Sequence, residues 1–154
     1  MIQHIKCDIF ESGTDVILHQ VNCQGAMNSG IAKQVREKFP VVFNAYNTLC
    51  SIKDNKSELL GTAQFIRVDE GGYAGYIVNL FAQENFGYDG KCYTDYAALR
   101  KCLEDVNNYF DGAVIAIPYR IGCARGGGDW NVVYQMIEEI FDNNNILICE
   151  CDRG

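Results

Sequence analysis

Two stretches of this 154-residue chain combine glycine with small polar and charged residues in a pattern that can hold an anion. The first runs His19-Gln20-Val21-Asn22-Cys23-Gln24-Gly25-Ala26-Met27-Asn28-Ser29-Gly30-Ile31-Ala32. The second runs Pro118-Tyr119-Arg120-Ile121-Gly122-Cys123-Ala124-Arg125-Gly126-Gly127-Gly128-Asp129-Trp130. Glycine allows positive φ and close backbone approach, so successive N–H groups can converge on one negative charge. A helix that opens directly after such a loop adds the partial positive charge of its N-terminus. Two such loops facing each other would clasp a diphosphate, each charge-assisted hydrogen bond contributing roughly 1.5–3 kcal/mol before entropy costs. The plainer alternative is a pair of tight connectors between packed elements. Familiar nucleotide signatures do not fit. There is no G-x-x-x-x-G-K-[ST], and the first strand runs into Cys7-Asp8-Ile9-Phe10-Glu11 instead of G-x-G-x-x-G, which argues against P-loop and standard dinucleotide chemistry.

Two side chains within these loops have proton or water chemistry open to them. His19, three residues before Asn22, is of a type that titrates near neutrality and suits proton transfer to a leaving oxygen. Its alternative is a half-buried histidine hydrogen-bonded to backbone. Asp129 could orient a water, but Asp immediately before Trp130 is also what a helix N-cap requires. Asn28 and Ser29 could position a water or a ligand hydroxyl, or simply serve turn chemistry.

The rest of the chain must position these loops. Short apolar runs alternate with helical patterns. Strands are expected at Gln3–Lys6, Val16–Val21, Ala63–Val68, Gly75–Leu80, Ala113–Pro118 and Ile146–Glu150, the last three apolar enough to be covered on both faces. Helices are expected at Gly30–Phe39, Val42–Leu49, Asp95–Phe110 with Thr94 as N-cap, and Trp130–Phe141 with Asp129 as N-cap and the Asn143-Asn144-Asn145 turn beyond. Interleaving of this kind predicts an α/β protein with a largely parallel, helix-covered sheet. Ligands of such sheets bind beyond the carboxyl ends of the strands, where both glycine loops fall.

Composition sets the outer limits. The chain is 48% hydrophobic and 21% charged, the balance of a folded globule, and its length predicts a single domain spanning 1–154. A net charge of −7 and the absence of a basic cluster disfavour a polyanionic partner, so nothing here points to nucleic-acid binding. No apolar run approaches the ~18–20 residues of a membrane span, and the N-terminus lacks the apolar stretch of a secretion signal. A cytoplasmic protein without a membrane partner is the expectation. The eight cysteines include no C-x-x-C and the two histidines are far apart, so neither a metal site nor another cofactor is expected. Reduced thiols are the better reading than a disulfide framework.

Taken together, Cys7-Asp8-Ile9 after the first strand, Asn22 closing the second, Asn28-Ser29-Gly30-Ile31-Ala32 opening a helix, and Ile121-Gly122-Cys123 with the glycines beyond resemble a macro domain. The resemblance covers essentially the whole chain. It implies a three-layer α/β/α fold around a mixed, mostly parallel six-stranded sheet, and a cleft for ADP-ribose at the strand ends. By position, Asp8 would accept from the adenine amino group with Ile9 beside it. Asn22 would hold the distal ribose hydroxyls. Ala26, Met27, Asn28, Ser29, Gly30 and Ile31 would lie along the distal ribose and diphosphate. Ile121, Gly122, Cys123, Ala124, Arg125, Gly126 and Gly127 would form the opposing diphosphate loop.

The segment Met27–Phe39 and Arg120-Ile121-Gly122-Cys123 resemble the terminal ADP-ribose glycohydrolase-like branch. That branch uses a lysine just after the fourth strand and a partner aspartate. Here the lysine's place lies in Asn79-Leu80-Phe81-Ala82-Gln83, which has none, and the aspartate falls on Gly126. His19, in His-x-x-Asn-Cys, resembles instead the histidine of yeast-type ADP-ribose-1''-phosphate phosphatases; His19 on that likeness, and Asp129 on its place at the end of the second glycine loop, are the catalytic candidates. Tyr88-Asp89-Gly90-Lys91-Cys92-Tyr93 reads as an exposed turn that could also fold over the distal ribose. The resemblance thus implies hydrolysis of an ADP-ribose derivative, either phosphate release or removal of ADP-ribose from a macromolecule. Recognition without turnover, or an unrelated α/β binding protein with glycine connectors, are the alternatives.

Overall fold

The computed structural model describes residues 1–151. Its elements run β1 (Ile2–Lys6), a 3-10 turn (Ile9–Glu11), β2 (Val16–Asn22), α1 (Gly30–Lys38), α2 (Pro40–Ile52), a second 3-10 turn (Lys56–Leu59), β3 (Ala63–Glu70), β4 (Tyr73–Gln83), α3 (Tyr96–Tyr109), β5 (Val114–Pro118), α4 (Trp130–Ile140) and β6 (Asn145–Glu150). Every strand and helix read from periodicity is present within a few residues. The two 3-10 turns were not expected, and α2 begins earlier because Pro40 presets φ for a first helical position. Thr94 does not cap α3. Asp95 does, its carboxylate accepting from Ala98 N, which releases Thr94 for another task. Asn145 belongs to β6, not to the preceding turn.

The strands form one sheet in the order β1-β6-β5-β2-β4-β3. All pairings are parallel except β3 against β4, a hairpin closed by Gly71-Gly72. This is the mixed, mostly parallel six-stranded sheet of an α/β/α sandwich. Alternation along β2 sends Val16 and Leu18 to a core shared with α3 and α4, including Leu99, Leu103, Val133 and Ile137. Ile17 and Val21 go to the opposite core with Val35 of α1 and Val42 and Tyr46 of α2. Each such fully buried aliphatic side chain stabilises the fold by about 1.5–3 kcal/mol relative to exposure.

The topology also dictates where a cleft must open. From β2 the chain leaves through α1 and α2 toward the β3 edge; from β5 it leaves through α4 toward β6. The direction of winding therefore reverses between β2 and β5, the place where α/β sheets leave a crevice. The ladder confirms the parting. β2 and β5 pair at Val16–Ile115 and Ile17–Ala116, after which β2 stays with β4 and β5 with β6.

Candidate functional site

The crevice is lined on one side by His19, Gln20, Val21 and Asn22 from the unpaired edge of β2, and on the other by Pro118, Tyr119 and Arg120 from the end of β5. Both glycine loops close over it. Ala26, Asn28, Ser29, Gly30, Ile31 and Ala32 come from the first; Ile121, Gly122, Ala124, Arg125 and Gly126 from the second. Gln83, Phe86, Gly87 and Tyr88 complete the wall from the segment after β4. The crevice is open to solvent at its mouth and, with that mouth included, holds about 930 Å³ of space between protein atoms.

Backbone polarity defines what fits. Among the described residues, the amides of Gly122, Ala124, Arg125 and Gly126 donate to no protein acceptor, although their neighbours do: Cys123 N to Arg120 O, Gly127 N to Ala124 O and Gly128 N to Gly122 O. The first-turn amides of α1, Gly30 to Ala32, are likewise unpaired within the protein, and Ser29 at the N-cap makes no side-chain cap bond. By contrast α3 and α4 are capped by Asp95 and Asp129. Two sets of free donors therefore meet at one cleft. Charge agrees: the lining contains Arg120 and Arg125 and, among the described residues, no Asp, Glu or Lys, despite the chain's net charge of −7. Arg120 adopts φ 62°, left-handed backbone that costs a non-glycine residue about 1–2 kcal/mol. The Arg125 guanidinium lies 4.5 Å from the centroid of the exposed Tyr88 ring, bridging the cleft mouth.

Other residues expected in the site are placed elsewhere. Met27 and Cys123 are buried in the two cores, Gly127 lies off the lining, and Ile9 is buried. Asp8 stands beyond the lining at the carboxyl end of β1, where its side chain accepts from Phe10 N at 2.9 Å and opens the first 3-10 turn. Asp129 is also off the lining, its carboxylate accepting from Asn131 N as the cap of α4. That bond favours the capping role over the orientation of a water.

Asn22 lines the cleft, but its carboxamide is committed to the loop. Nδ2 donates to Ala26 O at 2.9 Å; Oδ1 accepts from Gln24 N at 2.9 Å and lies 2.8 Å from the Tyr46 hydroxyl. Asn22 thus shapes the first loop, with one N–H of the amide left over for a ligand. Replacing a part-buried amide that serves three partners costs about 2 kcal/mol, so Asn22→Ala is expected to lower Tm by roughly 4–8 °C in a domain of this size. Ligand affinity should fall with it. A melting curve superimposable on wild type would refute this bracing role.

His19 is 1% exposed, and its Nε2 is hydrogen-bonded to Asn79 Oδ1 on the neighbouring strand. Asn79 Nδ2 in turn donates to Gln64 Oε1 at 3.0 Å. This assigns the proton to His19 Nε2 and leaves Nδ1 as a buried acceptor without a partner. Burial lowers the His19 pKa to about 4, the Asn79 bond opposing the shift only in part. At neutral pH the ring carries no extra proton, so it suits accepting from a hydroxyl or water better than protonating a leaving group. Gln20 was missed in the sequence. Its Nε2 donates to Gln83 Oε1 and Thr94 Oγ1, and its Oε1 is a second buried acceptor without a partner. A polar residue near the end of an apolar strand was the available signal, because such groups must be satisfied.

No protein-family profile matches the chain. It is 29% identical over 146 residues to a DNA ADP-ribosyl glycohydrolase of Mycobacterium tuberculosis, a match covering 92% of this chain and 39% of the relative. The chain therefore spans about two fifths of that relative's length. It is 32% identical over 63 residues to an ADP-ribose 1''-phosphate phosphatase of Aspergillus oryzae, covering 40% of this chain and 31% of that one. Among solved structures, the macrodomain of Mycobacterium tuberculosis DarG superposes with a TM-score of 0.75 at 23% identity, covering 96% of this chain and 97% of that one. Thermosipho africanus DarTG in complex with ADP-ribose superposes with a TM-score of 0.74 at 17% identity, covering 96% and 41%.

Proposed function

We propose that this chain, which has the macro domain fold, binds ADP-ribose in the cleft between β2 and β5 and that its natural ligand is an ADP-ribose derivative. The observation that carries the reading is the pair of unpaired amide sets, Gly30 to Ala32 and Gly122, Ala124, Arg125 and Gly126, converging on one carboxylate-free cleft. A diphosphate satisfies both sets at once, and a ribose hydroxyl supplies the donor that His19 Nδ1 and Gln20 Oε1 lack. ADP-ribose is bound in the structure of the Thermosipho neighbour, which supports the same ligand here.

Turnover is the second part of the proposal. The names of the glycohydrolase and phosphatase relatives support hydrolysis of an ADP-ribose derivative. Recognition without hydrolysis is favoured by the lining itself. The stretch Asn79–Gln83 holds no lysine where the branch has one, Gly126 falls in the place of the branch's aspartate, and His19 is neutral with a pKa of about 4. If His19 takes part, it does so by accepting a hydrogen bond from an attacking water or from the distal ribose.

Calorimetric titration tests the binding. ADP-ribose is expected to bind at least tenfold more tightly than AMP, which lacks the diphosphate and distal ribose, a difference of about 1.4 kcal/mol or more. Equal affinities would overturn the reading. Incubation with ADP-ribose-1''-phosphate and with ADP-ribosylated DNA then separates the two forms: product release establishes a hydrolase, and intact substrates establish a binding module.

A further inference from the structure

The second glycine loop is braced from behind by a residue that neither loop contains. Thr94, between β4 and α3, is buried at 6% exposure and lies outside the cleft lining. Its hydroxyl donates to Gly122 O at 2.6 Å and accepts from Gln20 Nε2 at 2.9 Å. Its amide donates to Gly126 O at 3.0 Å, and the Tyr93 amide reaches the same oxygen at 2.7 Å. Gly122 O also accepts from Gly128 N at 2.9 Å. Two carbonyls of the loop are thus each doubly satisfied, which uses both lone pairs, while the four neighbouring amides remain free. A loop of alternating C=O and N–H dipoles attracts an anion only when its carbonyls are turned aside. Glycine is needed at both braced positions because a Cβ on Gly122 would stand 3.1 Å from Thr94 Oγ1, and one on Gly126 would stand 2.6 Å from Gly122 O.

We propose that Thr94 is a positioning residue for the anion site: by holding the Gly122 and Gly126 carbonyls, it makes the Gly122, Ala124, Arg125 and Gly126 amides a single concave donor set for a diphosphate-class anion. This rests on the cleft being an anion site, though not on the anion being ADP-ribose. Thr94 acts through the loop and touches no ligand.

The test is a 15N-resolved titration of wild type, Thr94→Ser and Thr94→Val with inorganic pyrophosphate, repeated with ADP-ribose. In wild type the four loop amides and the Gly30–Ala32 amides are expected to shift together. Thr94→Ser, which keeps the hydroxyl, should stay within about threefold of wild-type affinity. Thr94→Val should bind at least tenfold more weakly, with the Gly30–Ala32 amides still responding at saturation and the Gly122–Gly126 amides no longer doing so. General destabilisation would not separate the two sets. Wild-type affinity and shifts in Thr94→Val overturn the proposal. Should that variant fail to fold, Gln20→Met removes the donor to Thr94 Oγ1 and is read with pyrophosphate, which has no ribose hydroxyl for Gln20 Oε1 to meet; a three- to tenfold loss of pyrophosphate affinity supports the brace, and unchanged affinity refutes it. Wild-type loop amides that ignore pyrophosphate also end the proposal. Pyrophosphate binding without ADP-ribose binding sinks the nucleotide reading and leaves the brace standing.

Discussion

Gly126→Ala is expected to weaken ADP-ribose binding by a hundredfold or more. The added methyl would stand 2.6 Å from the Gly122 carbonyl oxygen and press on the Thr94 hydroxyl. Neither can yield cheaply, since the carbonyl is backbone and the hydroxyl is held between Gly122 O and Gln20 Nε2. The loop must open, and its free amides lose their common focus. Losing two charge-assisted hydrogen bonds at roughly 1.5 kcal/mol each gives about 3 kcal/mol, which corresponds to about two orders of magnitude in Kd. Gly112→Ala is the matched control: it lies in the turn between α3 and β5 with φ 72° and open space around a Cβ. It should lose some stability through left-handed strain and leave affinity unchanged. Calorimetry on both variants decides the matter, and wild-type affinity in Gly126→Ala would remove the second loop from the binding site.

The second large effect concerns acid stability. His19 titrates near 6.5 in an unfolded chain and at about 4 in the fold, because burial penalises the imidazolium. Between these values the unfolded state holds a proton that the native state does not. Stability therefore rises with pH across the window and is lost as pH falls from about 6.5 to about 4. The shift corresponds to about 3 kcal/mol at 1.36 kcal/mol per pH unit. The twenty carboxylates also titrate at the acid end, so the contribution is isolated by comparison with His19→Gln, which offers Asn79 Oδ1 a donor without an ionisable ring. Urea unfolding from pH 7 to pH 4 should show wild type losing about 3 kcal/mol more than the variant. Parallel curves would mean that His19 is not held neutral, and would restore it as a proton donor near neutrality.

Much of the fold was legible in the chain because its signals are local. The apolar runs of β4, β5 and β6, the three- and four-residue steps of α3 from Leu99 to Val106, and Asp129 before Trp130 each report on their own few residues. The glycine loops were legible for the same reason, and their location at the strand ends followed from the order of elements. The polar Asn79 inside an otherwise apolar β4 was a visible signal of a buried partner, but its identity was not.

By itself the sequence determined the α/β class, the element order and the two loops that line the cleft, since short-range spacing and turn chemistry suffice for these. Tertiary structure alone decided the roles inside the site. It set the parting of β2 from β5, turned Asn22 toward Ala26 O and the Tyr46 hydroxyl, moved Asp129 to a cap, buried His19 against Asn79, and placed Thr94 behind Gly122. Most of these contacts join residues far apart in the chain: 60 positions for His19 and Asn79, 74 for Gln20 and Thr94, 28 for Thr94 and Gly122. Whether a polar side chain faces a ligand or a neighbour depends on which partner the packed sheet brings within hydrogen-bonding distance, and no local pattern encodes that.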